Sequence, residues 1–240
     1  YDAFGKELIA KSNRTYAGTA AEIPEGTSGE VERMYILRRL ALITTLAGDR
    51  TLQSKGYWPI TPAQSEAYLQ AEKLVTPGDN WEELGLVLYD TSGDGENPYE
   101  SKALAKSIRE HARELGLDKK GLEKRLMVVH PGLKIDSSAP HGVVPIVLPG
   151  ITQVYTHEVL AKAGEDPQFK GYGLTGGLPK ISQLDEDGDR ILYLPDETED
   201  IGLRVLIRYR NLILNARYTN LTDDYAYGRV HFAPQGTRKK

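Results

Sequence analysis

The stretch VTPGDNWEELGLVLY, residues 75–89, packs three kinds of local signal into fifteen positions. Leu74-Val75-Thr76 reads as a short extended piece that ends at the turn Pro77-Gly78. Gly78 lets the backbone turn tightly, and Asp79 or Asn80 supplies an oxygen for the free N–H groups of a helix that opens there. Trp81 to Tyr89 then reads as that helix, with Trp81, Leu84 and Leu88 inward and Val87 beside them. A strand, a turn and a capped helix this close together ask for a partner strand further along the chain.

Working outward toward the C-terminus, DTSGDGENPYES, residues 90–101, is a loop. An amphipathic helix is expected near 101–115, with Ala103, Leu104, Ile108, Ala112 and Leu115 as its apolar stripe and Gly116 as its stop. Gly121 to Val129 reads as a further short helix, with Leu122, Leu126 and Val129 at helical spacing, halted by His130-Pro131-Gly132. PHGVVPIVLPG, residues 140–150, contains an extended run from Val143 to Leu148. Pro145 inside it donates no backbone hydrogen bond, which places the run at a sheet edge or makes it irregular.

This layout resembles the LysM domain, a β-α-α-β unit with two antiparallel strands and two helices packed on one face. The residues that carry the resemblance are the Pro-Gly-Asp turn at 77–79, the apolar segment after it, His130-Pro131-Gly132-Leu133, the Pro140-His141-Gly142 turn, and the ending Ile146-Val147-Leu148-Pro149. It covers residues 74–149, and residues 90–119 are an insertion that typical members lack. His130 stands where the family usually has asparagine. The resemblance implies that the strand at Leu74 pairs with the strand at Val143. It also implies a groove between Pro77–Trp81 and Pro131–Asp136, so that Gly78, Asp79, Asn80, Trp81, Pro131, Gly132, Leu133, Lys134 and Ile135 contact a glycan or a partner protein.

Working outward toward the N-terminus, Thr61-Pro62-Ala63-Gln64 is a helix start, with a run to about Lys73. Thr27-Ser28-Gly29-Glu30 has the spacing of a capping box. The series Val31, Met34, Tyr35, Leu37, Leu40, Leu42, Ile43, Leu46 after it is apolar on more than one side, which predicts a buried helix ending at Gly48. Residues 1–27 read as an arm. Beyond 150, residues 151–163 read as a strand entering a helix, and 190–194, 202–218 and 228–232 read as strands. The expected class is α+β: an N-terminal arm and helices (1–73), a LysM-like domain with its insertion (74–149), and a β-rich C-terminal region (150–240).

Several function classes are excluded or weakened by composition. The 240 residues are 40% hydrophobic, enough for a packed core, and no apolar run approaches the ~20 residues of a membrane span. With 30 basic and 34 acidic residues, the net charge of −4 provides no general attraction to nucleic acid. The absence of cysteine removes disulfides, thiolate metal sites and cysteine nucleophiles together. His111, His130, His141, His157 and His231 show no HExxH spacing, and Ser137-Ser138 lacks a nucleophile elbow. A carboxylate pair among the 34 acidic residues is the remaining catalytic alternative.

Asp90, Ser92, Asp94 and Glu96 match the first half of a calcium loop, but Ser101 occupies the twelfth position where a bidentate glutamate is needed. A Ca2+ ion and a solvated turn are the two alternatives there. Asp185, Asp187 and Asp189, at alternate positions, read as a turn between strands, with a divalent-cation site as the alternative. Otherwise no cofactor is expected.

A single LysM-like unit set between helical and β-rich segments resembles the members built into phage tails, baseplates and tail-like contractile machines. The resemblance implies a non-enzymatic structural protein of a virion or tail-like particle, docked to other subunits in an oligomeric assembly. The alternative is a cell-surface or extracellular protein that binds peptidoglycan or chitin.

Overall fold

The structure, a computed structural model, describes residues 3–24, 34–59, 82–88, 95–123, 126–156, 192–193, 202–208, 214–215, 220–222 and 232–234. It is α+β, as the sequence leads one to expect. The helices are α1 (Ala3–Tyr16), α2 (Ile36–Gly48), α3 (Arg50–Gln53), α4 (Pro98–Glu110) and α5 (Lys119–Leu122). The strands are β1 (Tyr57–Pro59), β2 (Glu82–Leu88), β3 (Leu126–Val129), β4 (Gly132–Ile135), β5 (Val143–Ile146), β6 (Gln153–Thr156), β7 (Leu192–Tyr193), β8 (Leu203–Arg208), β9 (Leu214–Asn215) and β10 (Phe232–Pro234). Among the described residues they form a six-stranded sheet in the order β6-β3-β2-β8-β9-β7 and two ribbons, β1-β10 and β4-β5. β7 and β9 run parallel, and the other pairs among the described residues are antiparallel.

The segment expected to be the first LysM helix is a strand. β2 lies between β3 and β8, and Leu86, Val87 and Leu88 are fully buried. Side chains buried on both faces of a strand make a continuous apolar run, which over so short a length looks the same as one side of a buried helix. Gly85 marks the difference. A Cβ there would stand 2.3 Å from the Val128 carbonyl oxygen, and the register with β8 shifts between Glu83 and Gly85. A glycine inside an apolar strand commonly marks a bulge or a close backbone approach, and here it marks both.

The helix expected over 121–129 is also corrected. One helical turn, α5, is capped by Asp118, whose carboxylate accepts from Gly121 N at 2.7 Å. The chain then enters β3, where Leu126, Met127, Val128 and Val129 are all buried. The two adjacent valines favour the extended chain because their branched Cβ restricts side-chain freedom on a helix. His130 follows with φ 53° and, with Pro131, ends β3, so that the chain leaves the large sheet and begins the β4-β5 ribbon.

β5 pairs with β4, in the register Gly132↔Ile146 to Ile135↔Val143. The other expected partner, Leu74-Val75-Thr76, lies outside the described residues, as do the helix from Thr61, the capping box at 27–30 and the acidic turn at 185–189. β7, β8 and β9 fall within the segments expected to be extended, β10 overlaps its expected segment only at Phe232, and β6 lies at the start of the one expected from 151. The large sheet crosses the boundary expected at 150, since β2 and β3 from one side pair with β8 and β6 from the other.

Among the described residues two apolar cores sit on the helices. α2 buries Leu37, Leu40 and Ile43 with Leu86, Leu104, Val128 and Val205, and it buries Leu42 and Leu46 with Phe4, Leu8 and Ile23. A helix shared by two cores is apolar around most of its circumference, as read from its sequence. α4 buries Leu104, Ala105 and Ile108 and ends at Glu110, with a turn reaching Gly116 at φ 72°. The expected N-terminal arm is replaced over residues 3–16 by α1, whose buried Phe4, Leu8, Ile9, Ser12 and Tyr16 fall at helical spacing.

Candidate functional site

α1 and α2 enclose an open groove of about 390 Å³, lined by Lys11, Arg14, Thr15, Tyr16, Thr44, Thr45, Gly48 and Asp49. All but Asp49 come from the C-terminal halves of the two helices, and Asp49 joins α2 to α3. Helix C-termini carry partial negative charge, so the cations Lys11 and Arg14 are well placed there. The same field works against a bound anion.

Most of the polar lining is already bonded within the fold. Lys11 Nζ donates to Asp49 at 2.6 Å and lies 3.1 Å from Glu7, while Lys55 pairs with the other Glu7 oxygen. Asp49 also accepts from Thr51 N at 2.9 Å and Leu52 N at 3.0 Å, capping α3. The Lys11 hydrogen bond, helped by the Leu52 amide, holds the Asp49 carboxyl below its ordinary range. Lys55 and then Lys11 do the same to Glu7, and Asp49 and then Glu7 raise Lys11. Thr44 and Thr45 each donate at 2.8 Å to the carbonyl one turn back, on Leu40 and Ala41.

The floor of the groove holds the ribbon. Tyr16 Oη donates to the Leu133 carbonyl at 3.2 Å, and Leu133 N donates to Thr44 Oγ1 at 2.7 Å. Burial raises the Tyr16 phenol, and its hydrogen bond with Thr44 offsets part of that rise.

The residues expected from the LysM resemblance divide into three groups. Gly78, Asp79, Asn80 and Trp81 lie outside the described residues. Pro131, Gly132 and Leu133 are buried. A Cβ on Gly132 would lie 2.5 Å from Leu148 Cγ, so β4 starts in close contact with Leu148. Lys134 and Ile135 are exposed at the far end of β4. The turn after them is closed by Asp136, which accepts from Ser138 N and Oγ at 3.0 and 2.6 Å.

Of the calcium-loop residues, Asp90, Ser92 and Asp94 lie outside the described residues. Glu96 is exposed, and its carbonyl accepts from Leu203 N at 2.9 Å, fastening the loop to β8. Ser101, the twelfth position, is fully buried within α4. Among the described residues no three His, Asp or Glu side chains converge on a point that would hold a metal.

His141 and Glu100 form a pair that sequence reasoning missed. His141 Nδ1 lies 2.7 Å from Glu100 Oε1, and Glu100 is 1% exposed. The His141 carbonyl also accepts from Ala20 N at 3.1 Å, so this one residue ties the β4-β5 turn to α4 and to the segment after α1. The acidic residue in the first turn of α4 was the available signal, but the histidine is 41 positions away. His111 Nδ1 lies 2.9 Å from the Ser107 carbonyl on its own helix, and His157 and His231 lie outside the described residues.

Compared with known proteins, the chain matches no family model, no curated protein and no solved structure.

Proposed function

We propose that this chain is a non-enzymatic structural protein that works by docking to other subunits of an assembly. The observation that carries this is the internal commitment of the α1-α2 groove. Lys11, Asp49, Thr44 and Tyr16 are bonded to one another or to the backbone of neighbouring elements, and Thr45 to the backbone of its own helix. A catalytic site keeps an acid, base or nucleophile aimed at the space a substrate would fill. Here the polar side chains hold elements together.

The kind of assembly, a phage tail, baseplate or tail-like contractile apparatus, is supported by the sequence motifs of residues 74–149 alone. β2 and β3 occupy the segments that the two helices of a LysM unit would need, so the motifs support this reading without the β-α-α-β fold. The glycan-binding alternative draws on the same motifs and on the exposed Lys134 and Ile135.

Co-sedimentation of the folded protein with insoluble peptidoglycan and with chitin, alongside light scattering for its mass in solution, separates the two. Docking predicts no saturable pull-down and a mass that reflects self-association or association with co-expressed subunits. Saturable pull-down of a folded monomer, lost in Lys134→Ala/Ile135→Ala, would replace docking with glycan binding.

A further inference from the structure

We draw no further inference here: the strongest candidate, the aromatic face that Phe4, Tyr57 and Phe232 form where the β1-β10 ribbon meets α1, is partly exposed at Tyr57, and nothing in the structure shows what covers it.

Discussion

Leu133 and Pro145 face each other across the β4-β5 ladder, and Leu133 turns both of its main-chain groups away from the proline, toward Thr44 and Tyr16. The pair is therefore one of the non-hydrogen-bonded positions of an antiparallel ladder. The N–H that Pro145 lacks would have pointed away from β4, so the ladder loses no bond. Two positions further on, Val147 N points the same way and donates to Ser107 Oγ of α4 at 2.9 Å. Side chains from three helices thus satisfy the outer edges of a two-stranded ribbon.

Thr44→Val keeps the shape of the side chain and removes the acceptor of the Leu133 amide. An unsatisfied buried donor costs about 1–3 kcal/mol, whereas Tyr16→Phe, which leaves the Leu133 carbonyl and Thr44 without the phenol but strands no N–H, is expected to cost about 0.5–1.5 kcal/mol. The two share one network, so the double variant should lose less than the sum of the single losses. Urea unfolding reads all three. Strictly additive losses would show that Tyr16 and Thr44 act independently.

Gly85→Ala forces a methyl group against main-chain atoms of β3, which have no side-chain freedom to yield. The expected loss is at the upper end of about 1–3 kcal/mol, with a lower unfolding midpoint. Gly48→Ala is the contrast: nothing lies within 4 Å of its added methyl, and it ends α2. That substitution should be neutral or stabilising by about 0.4–1 kcal/mol. Equal effects would mean that β2 and β3 do not approach as described.

The Glu7-Lys11-Asp49 cluster makes stability depend on pH at both extremes. Asp49 and Glu7 ionise below their ordinary values in the folded chain, so their contribution is complete above about pH 4 and lost as pH falls through the lowered values. Lys11 is raised, so its contribution is present below about pH 10 and lost as pH climbs through the raised value. Lys11→Met should flatten both limbs of a stability-pH curve, and added salt should weaken the wild-type dependence. Unchanged limbs in Lys11→Met would remove the cluster as their cause.

His141→Ala leaves the Glu100 carboxylate buried without its ring partner. Leaving a buried polar group without its hydrogen-bond partner costs about 1–3 kcal/mol, and a loss in that range is expected here. Glu100→Gln retains a hydrogen-bonding oxygen and should cost less. Thermal unfolding gives the order, and native-state hydrogen exchange at Ala20 should speed up in His141→Ala. Protection at Ala20 equal to wild type would show that the turn is held without this pair.

Some features were legible because they are local. The periodicity of α2 and α4, the Pro145 edge position and the extended C-terminal segments follow from side-chain spacing and backbone chemistry read over a few turns or strand pairs. α1 was equally local, but its stripe of Phe4, Leu8, Ile9, Ser12 and Tyr16 includes a serine and sits among small residues that read as an arm. The groove was not legible, because its lining meets only when α1 and α2 pack together.

The sequence by itself determined the α+β composition, a helix apolar nearly all round, the punctuation at His130-Pro131-Gly132, and an excess of acidic over basic residues that does not favour nucleic acid. Tertiary structure alone decided that 82–88 and 126–129 are strands. A short buried apolar run satisfies helix and strand equally until its neighbours are known, and here β8, β2, β3 and β6 supply the backbone hydrogen bonds that a helix would have made internally.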